Sequence, residues 1–527
     1  MSSASLPPAS PPAARWGWHA LYARPLPWLL GLVVAHVVVR IAISPALQWD
    51  EAEQVLWTQH LQWGYGAQPP LYTWLQWGVF QALGPGIPAL ALLKHALIAL
   101  TCTLMWLAGR ELLGPRGAWW SAVSLLLLPP LGWYAISDYT HTVLVTTMTC
   151  GAWWLLLRIV RRGGSACQRE FAALGLVCGC GMLAKYNFAL VIGPLLVALL
   201  AVPAPRRALL ARGWWWTVAI GLLITAPHGW WLLGHWHLAS AGTLRKMDIT
   251  PEIHFGLGLF NLLMAVLATL ALWALVALAA FGSGWWRRPA AARPEAPADE
   301  RPLPWLRPVF GIYLGLVALA LLAMVFGAGV TSFKDRWMLP LLAPVPLMAF
   351  ALRPGLQANP RGNRFTAIAL ALVLALLVAA GAQPFFTRVD HHWHALNQPV
   401  ARLAQALQGA GYDGRSRIIA ADVMLAGALR TRFPRASAQS CSDAKEVGDV
   451  AACVADGVKL AEDAGLGWLV ISRADRVEPG WWELALARVA GSANLPRGRL
   501  YLPYYMAAPD LAPARFDFVW HPPGRQP

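Results

Sequence analysis

Long apolar runs separated by short polar turns make up most of the chain before residue 384. Most runs approach the roughly 20 residues that a helix needs to cross a bilayer, so the pattern predicts a polytopic α-helical membrane protein. The fifth and sixth runs are short, which favours a tilted or re-entrant pair. We place eleven spans, within a range of ten to thirteen, near residues 26–43, 88–108, 118–136, 140–157, 171–184, 187–202, 214–234, 257–281, 308–328, 336–352 and 365–383.

The pattern changes after residue 384, where polar residues become frequent. A helical stretch from Gln398 to Gln408 precedes several strand-like runs, and this mixture predicts a small α/β domain. The predicted strands lie at 417–420, 468–471, 499–505 and 515–520. Two cysteines of this tail, Cys441 and Cys453, form a disulfide only if the tail is periplasmic and they lie close together, and the sequence leaves this open.

The charged residues give the membrane part an orientation. They are 13% of the chain, against 57% hydrophobic residues, and the net charge is +16. The Arg residues cluster in short loops between apolar runs, which is the positive-inside pattern of membrane proteins, so we expect no nucleic-acid partner. A cytoplasmic N-terminus places every short basic cluster on the cytoplasmic face of a bacterial inner membrane, and the C-terminal domain in the periplasm.

The domain boundaries follow from these patterns. The linker is rich in Pro, Ala and charged residues, which is typical of a flexible segment. We divide the chain into a cytoplasmic tail at 1–25, a membrane domain at 26–384 with a first periplasmic loop at 44–87 and a cytoplasmic linker at 282–307, and a periplasmic α/β domain at 385–527.

The first periplasmic loop opens with two acidic residues, Asp50 and Glu51, directly after an apolar run. Carboxylates at the edge of a span are costly, so they indicate a functional site. We predict an amphipathic helix from Glu51 to Trp63 and a second helix from Tyr72 to Leu83, both lying in the interface plane. The alternative is a membrane-hugging loop without catalytic function.

Two further acidic or polar positions begin the fourth span on the same side. Asp138 adds a carboxylate, although its residue type also suits a helix N-cap. His141 follows one turn later and can bind an acceptor or tune Asp138, although a single His near a helix start is often an ordinary buried polar residue. Both are candidate site residues.

Three cations lie on the periplasmic side of this topology. Lys185, next to Tyr186, interrupts two apolar runs and must either meet an anion or extend to the interface. Lys334 and Arg336 flank a carboxylate against the positive-inside bias, which favours a phosphate clamp over the alternative of headgroup anchoring. Arg245 and Lys246 form a weaker basic pair.

Several well-known motifs are absent from the sequence, including a Walker A loop, a dinucleotide-binding glycine motif, HExxH and GxSxG. The His-rich stretch 391–394 is better explained as a juxtamembrane linker than as a metal site. We assign no metal ligand and no certain cofactor, and a divalent cation stays an open alternative.

Carboxylates together with phosphate-binding cations suit displacement at a sugar carbon with a phosphate leaving group. Because nucleotide sugars are made in the cytoplasm, a periplasmic site predicts a sugar donor carried on a polyprenyl phosphate. The candidate residues are Asp50, Glu51 and Asp138 for catalysis, Lys185, Lys334 and Arg336 for the donor phosphate, and Tyr65, Gln68, His141 and Tyr186 for substrate binding.

The ordered motifs WDEAEQVLW, GYGAQPPLYTWL, SDYTHTVLV, LAKYNFALV and SFKDRWMLPLL resemble the bacterial branch of glycosyltransferase family 39 over residues 26–350. That branch contains protein mannosyltransferases and transferases of aminoarabinose, glucosamine or galacturonic acid to lipid A. The resemblance implies a GT-C membrane fold, a polyprenyl-phosphate sugar donor, Asp50 as the main carboxylate with Glu51 and Asp138 beside it, and phosphate binding by the three cations.

The acceptor decides the role of Asp50. A lipid A phosphate is already ionised, whereas a hydroxyl of a sugar or protein must lose a proton to a base. We favour lipid A or another envelope glycolipid as the acceptor and keep protein as an alternative. A transporter or flippase of a lipid-linked sugar, an O-antigen ligase type of enzyme and a non-catalytic anchor are the rival functions.

Overall fold

The computed structural model describes residues 18–240, 247, 255–285, 303–357, 359, 361–442, 449–491 and 495–524. Most of the predicted linker, together with Arg245 and Lys246, lies outside these residues. The helices before residue 391 are α1 (Trp18–Ala23), α2 (Leu26–Ile43), α3 (Trp49–Trp57), α4 (Leu71–Leu83), α5 (Ile87–Leu112), α6 (Pro115–Ser124), α7 (Pro129–Gly132), α8 (Thr140–Arg162), α9 (Gln168–Ala184), α10 (Ala189–Ala201), α11 (Pro203–Leu209), α12 (Trp214–Gly234), α13 (Phe255–Phe281), α14 (Leu306–Ala328), α15 (Asp335–Leu342), α16 (Val345–Ala351), α17 (Gly362–Ala382) and α18 (Thr387–Asp390).

Each of the eleven predicted spans coincides with helical structure, but the helices differ in length. Among the described residues, 7 helices are long and apolar enough to cross a membrane, or up to 9 if each of two bent pairs counts as one span. The bends are 74° in the segment Pro115–Ile136 and 113° in the segment Tyr186–Leu209. Proline at the start of the second helix of each pair explains the break, because its ring cannot continue the preceding helix.

The loop at residues 44–87 differs from its prediction in the bounds of its first helix. Helix α3 ends at Trp57 rather than Trp63, while α4 begins and ends within one residue of the predicted bounds. Between them, Tyr65 and Gln68 form a short antiparallel bridge. Helix α3 is covered on several sides, since Ala52 and Val55 are fully buried.

The C-terminal part contains α19 (Val400–Gly409), α20 (Val423–Arg432), α21 (Val450–Asp463), α22 (Trp481–Leu486) and the strands β1 (Arg417–Ala420), β2 (Ala438–Ser440), β3 (Trp468–Arg473), β4 (Gly498–Leu502) and β5 (Ala514–His521). The strands form one sheet in the order β2-β1-β3-β5-β4. Strand β1 is parallel to β2 and β3, and β5 is antiparallel to β3 and β4.

Four of these strands lie where the sequence predicted them. The three-residue strand β2 was missed because so short a run shows no periodicity. Directly after β2, Cys441 is joined to Cys453 of α21 by a disulfide, so the pairing that the sequence left open is present in the structure.

Helix α20 of the C-terminal part packs directly on α3. A Cβ atom added at Gly427 would lie 2.8 Å from both Cα and Cβ of Ala52, so only glycine permits this approach. The Arg430 guanidinium donates to the carbonyl of Val55, and the amide of Gln59 bonds both backbone groups of Ala438 at 2.8 Å. The position of α3 therefore depends on the C-terminal sheet domain.

We predict that Gly427→Ala loosens this contact. The added methyl group must displace the backbone of α3, at a cost of about 1–3 kcal/mol. Ala would otherwise favour a helix over Gly by about 1 kcal/mol. Gly409→Ala, at an open position of α19, is the matched control and should leave thermal stability unchanged or slightly raised. A melting temperature of Gly427→Ala equal to that of the control would contradict the tight contact.

Candidate active site

Two helix N-termini meet at the periplasmic end of the predicted topology, and each receives a carboxylate from the other. Oδ2 of Asp50, in the first turn of α3, accepts the backbone N–H of Thr140 at 3.1 Å, at the start of α8. Oδ1 of Asp138 accepts the backbone N–H of Asp50 at 3.0 Å. Carboxylates at helix N-termini satisfy free N–H groups and face the positive end of the helix dipole. The pair thus fixes both carboxylates and both helices at once.

Asp138 therefore does not cap its own helix. The N-cap residue of α8 is Tyr139, whose φ of 61° lies in the left-handed region that non-glycine residues seldom adopt. This conformation turns the chain so that Asp138 reaches α3 while Tyr139 faces α15. The Tyr139 hydroxyl donates to Oδ1 of Asp335 at 3.0 Å. A strained residue held between two acidic groups is typical of a functional site.

Arg336 joins the group from α15. Its Nη1 lies 3.4 Å from Oδ1 of Asp50, and its guanidinium lies 5.7 Å from the centre of the Tyr139 ring. The Asp335 carboxylate accepts the Arg336 backbone N–H at 2.7 Å, which fixes the first turn of α15. The structure thus brings together Asp50, Asp138 and Arg336, which lie far apart in the sequence. Lys334 is the N-cap residue of the same helix.

Burial raises the pKa of the Asp138 carboxyl to about 8, and the negative charge of Asp50 adds to the shift. The hydrogen bond from Asp50 and the charge of Lys94 act in the opposite direction without cancelling it. At neutral pH Asp138 therefore holds a proton, and the Asp50–Asp138 pair carries fewer than two negative charges.

Glu51 has a different environment from its neighbour. Both of its oxygens are held by cations in the fully buried interior: Arg40 at 2.5 Å and Lys94 at 2.8 Å. Burial alone would raise the pKa of the Glu51 carboxyl, but the two cations lower it below its ordinary value. A carboxylate enclosed in this way anchors α3 to α2 and α5, which differs from the catalytic role predicted beside Asp50.

His141, in the first turn of α8, is held by a series of hydrogen bonds between polar side chains of α3 and α4. The Gln54 side chain accepts the Thr73 hydroxyl through Oε1 at 2.9 Å, so its Nε2 donates to Nε2 of His141 at 3.1 Å. Nδ1 of His141 then donates to the carbonyl of Ala184 at 3.2 Å. His141 is 2% exposed, and these contacts orient α3 against α8 and α9.

A largely apolar cavity of about 500 Å³ lies between the Tyr65–Gln68 turn and helices α10, α14 and α15. Its polar lining includes Lys185, Gln68 and Tyr186, and Trp337 lines it next to Arg336 in the chain. Nζ of Lys185 donates to the Thr142 hydroxyl at 2.9 Å. The cavity has the size and the apolar walls with few polar groups that are typical of a ligand-binding site.

The predicted substrate residues differ in their contacts. Tyr186 lines the cavity, and its hydroxyl shares a hydrogen bond with Nε2 of His228 at 3.1 Å. Tyr65 stacks on Trp57, and its hydroxyl donates to the carbonyl of His60 at 2.9 Å, so it braces the loop. Gln68 is the polar group that the loop contributes to the cavity.

Three buried side chains of α4 and α8 have polar atoms with no hydrogen-bond partner among the described residues. They are the hydroxyl of Tyr72, the amide of Gln76 and the hydroxyl of Thr140. Unsatisfied buried polar groups are rare in folded proteins and need an explanation. Thr140 also donates its backbone N–H to Asp50, so its hydroxyl is close enough to that carboxylate to bind a polar substrate there.

The sequence analysis did not select Arg40, Lys94 or Tyr139. Arg40 and Lys94 each lie within an apolar run, and a cation there was a usable signal because it is costly without a partner. Tyr139 carried no such signal, since its role comes from its backbone conformation. Within the described ranges, no group of three or more His, Cys, Asp or Glu side chains is arranged to hold a metal ion.

Comparisons with known proteins give the family and the fold of the chain. A family model for dolichyl-phosphate-mannose-protein mannosyltransferases matches residues 67–231. The lipopolysaccharide core galacturonosyltransferase RgtB of Rhizobium johnstonii is 31% identical over 423 residues, which are 78% of this chain and 82% of that protein. RgtA of the same organism, also a lipopolysaccharide core galacturonosyltransferase, is 30% identical over 90% of this chain and 93% of its own length.

Among solved structures, ArnT from Cupriavidus metallidurans in the apo state matches with a TM-score of 0.57 and 15% identity, over 94% of this chain and 98% of that chain. ArnT bound to undecaprenyl phosphate matches with a TM-score of 0.54. These likenesses show a shared fold, and the identity to RgtA and RgtB shows the family. The chain therefore belongs to the family of the rhizobial lipopolysaccharide core galacturonosyltransferases and is a membrane glycosyltransferase of the GT-C fold.

Proposed function

We propose that this enzyme transfers a uronic acid sugar, galacturonic acid by likeness to its relatives, from a polyprenyl phosphate to a sugar of the lipopolysaccharide core. The names of RgtA and RgtB support both the sugar and the acceptor. The single observation that carries the proposal is Asp50, fixed at two helix N-termini with Arg336 3.4 Å away, beside a lipid-sized cavity that contains Lys185. A transporter is not favoured, because the relatives are transferases.

The donor phosphate lies, in this proposal, between the apolar cavity and the cations. The cavity walls accommodate the first isoprene units, while Lys185 and Arg336 are placed to face the phosphate. When the bond between the sugar C1 and the phosphate oxygen breaks, negative charge grows on the phosphate and the cations stabilise it. Lys334, directly before α15, adds charge to the same side.

Asp50 acts as the base in this reaction. A core sugar presents a hydroxyl, which must lose its proton as its oxygen attacks C1 of the donor sugar. The proton passes to the Asp50 carboxylate, and the polyprenyl phosphate leaves with the bonding electrons. The Thr140 N–H keeps one Asp50 oxygen in place while the other faces Arg336 and the reacting groups.

Asp138 keeps Asp50 in position and limits the charge of the pair. Because its elevated pKa keeps Asp138 protonated at neutral pH, the base works next to a neutral acid rather than a second anion. The ion pairs of Glu51 with Arg40 and Lys94 tie α3 to α2 and α5. We therefore propose a structural role for Glu51 rather than the catalytic one.

We further propose that the N-terminus is cytoplasmic and that the active site and the sheet domain face the periplasm. The basic clusters around Arg116, Arg158 and Arg353 lie in loops on the side opposite Asp50 in the predicted topology, as the positive-inside pattern requires. The disulfide between Cys441 and Cys453 supports an oxidising compartment for the sheet domain.

Asp50→Asn should abolish sugar transfer without loss of folding. The amide still accepts the Thr140 N–H but cannot accept the proton of the acceptor, so we expect the rate to fall by at least ~100-fold. Mass spectrometry of lipopolysaccharide from cells that carry only the variant checks the product. Asp456→Asn, at an exposed position of α21, is the control. Normal product from Asp50→Asn would remove Asp50 from the mechanism.

Lys185→Gln should weaken use of the donor. Loss of one charge-assisted hydrogen bond, worth about 1.5–3 kcal/mol, predicts a KM for the polyprenyl-phosphate sugar raised by about tenfold or more. Arg207→Gln, in the basic cluster near residues 206–212, should leave the KM unchanged. Steady-state kinetics with purified protein measure the KM for the donor in each variant. An unaltered donor KM in Lys185→Gln would exclude Lys185 from phosphate binding.

Asp138→Asn should change the pH dependence of the enzyme. In the wild type, ionisation of Asp138 near pH 8 adds an anion beside Asp50, so activity should decline above that pH. The free energy of unfolding also declines as pH rises towards 8, because the folded protein keeps a proton that the unfolded chain has lost. Asn keeps the cap on α3 and cannot ionise, so activity near pH 7 should stay within roughly threefold of wild type.

The decline above pH 8 should then be absent in Asp138→Asn. Initial rates from pH 6 to pH 9.5, with melting temperatures over the same range, give the comparison. An identical alkaline decline in both proteins would show that another group causes it.

The proposed orientation can be tested with fusions. Alkaline phosphatase, which is active only in the periplasm, should be active when fused after residue 400 and inactive when fused after residue 163, in the loop between α8 and α9. The opposite pattern would invert the topology and remove the reason for a lipid-linked donor.

A further inference from the structure

A second cavity lies towards the other end of α14: the α14 residues that line it, 307–314, are centred about 14 residues, or roughly 21 Å, from the α14 residues 321–328 that line the first cavity. It is a groove of about 420 Å³ between the first turns of α14 and the end of α16. One wall uses positions i, i+3, i+4 and i+7 of α14, which share one helix face. The residues that form the groove are Arg307, Phe310, Gly311, Leu314, Met348, Leu352 and Arg353.

The groove is apolar along its length and cationic at its end. Phe310 and Met348 form a buried floor, 1% and 2% exposed, whereas Leu314 is 37% exposed and opens the groove to the lipid-facing surface. A Cβ atom at Gly311 would meet nothing within 4 Å, so the groove is free of protein atoms there.

No acidic residue of the described ranges neutralises the two cations. Among the residues that the structure describes, neither Arg307 nor Arg353 forms an ion pair, and no acidic residue lines the groove. Arg353 donates through Nη1 to the carbonyl of Trp285 at 3.0 Å, which fixes its guanidinium. The N-terminus of α14 adds the positive end of a helix dipole at the same place.

We propose that this groove binds an anionic glycerophospholipid. Its phosphate lies between Arg307 and Arg353, and one acyl chain lies over Gly311 and Leu314. Charge complementarity selects an anion, and the apolar wall that opens to the bilayer selects a lipid over a free phosphate ion. Basic pockets between helices at the membrane surface bind anionic headgroups for the same reason. The site is separate from the one that holds the sugar donor.

Native mass spectrometry of the purified full chain tests the proposal. The protein is titrated with phosphatidylglycerol or phosphatidylcholine of identical acyl chains, and each bound lipid is counted. Wild type should bind at least one phosphatidylglycerol roughly fivefold more tightly than phosphatidylcholine. Arg307→Gln should remove this preference, and Gly311→Leu, which fills the groove, should lower binding of that lipid regardless of its charge.

Two matched variants control for general effects. Arg364→Gln removes an exposed charge at the first turn of α17, and Gly31→Leu adds the same side chain at an open, lipid-facing position early in α2. Both should bind lipid as wild type does. Arg307 has no hydrogen bond among the described residues, so Arg307→Gln should fold even if a change at Arg353 does not.

Three results would overturn the proposal. They are equal affinity of wild type for the two lipids, an unchanged preference in Arg307→Gln, and equal loss of binding in Gly311→Leu and Gly31→Leu. Displacement of the bound lipid by inorganic phosphate at the same concentration would assign the arginines to a free anion instead.

Discussion

The structure depends on one exchange of hydrogen bonds, in which Asp50 caps the helix that follows Asp138 and Asp138 caps the helix that begins beside Asp50. Each carboxylate satisfies N–H groups that a helix start leaves without partners. Neither residue can move without releasing the other helix. Asp50, the proposed base, is therefore held through the backbone of two helices, which is more rigid than a contact between flexible side chains.

The two carboxyl groups of this exchange are costly to bury, and the residues around them stabilise the arrangement. Burial raises the pKa of Asp138, and the charge of Asp50 adds to the shift because two carboxyl groups side by side resist double ionisation. One residue further along α3, Glu51 binds Arg40 and Lys94 in the interior, so the helix is tied to α2 and α5 by an ion triad. Removing one member of such a triad would leave an uncompensated buried charge.

The C-terminal sheet domain also holds α3 in place. Its helix α20 reaches α3 through the Gly427–Ala52 contact, and its β2 strand bonds Gln59 just beyond the helix. The domain thus contributes to the geometry of Asp50 although it supplies none of the proposed reacting groups. This arrangement suits the proposed reaction, because the proposed base must be held within a fraction of an ångström, whereas the proposed donor cavity must admit a flexible lipid.

The sequence by itself determined the helical membrane fold, the order of the spans, four of the five strands and the sites of the main charged groups. It could do so because hydrophobic periodicity and the cost of charge in an apolar run are local properties. Only the tertiary structure decided that Asp50 meets Arg336, that Glu51 is enclosed by Arg40 and Lys94, and that Asp138 caps α3 rather than α8. These outcomes depend on contacts between residues 11 to 286 positions apart in the chain, and on a left-handed Tyr139, which no local pattern of residues encodes.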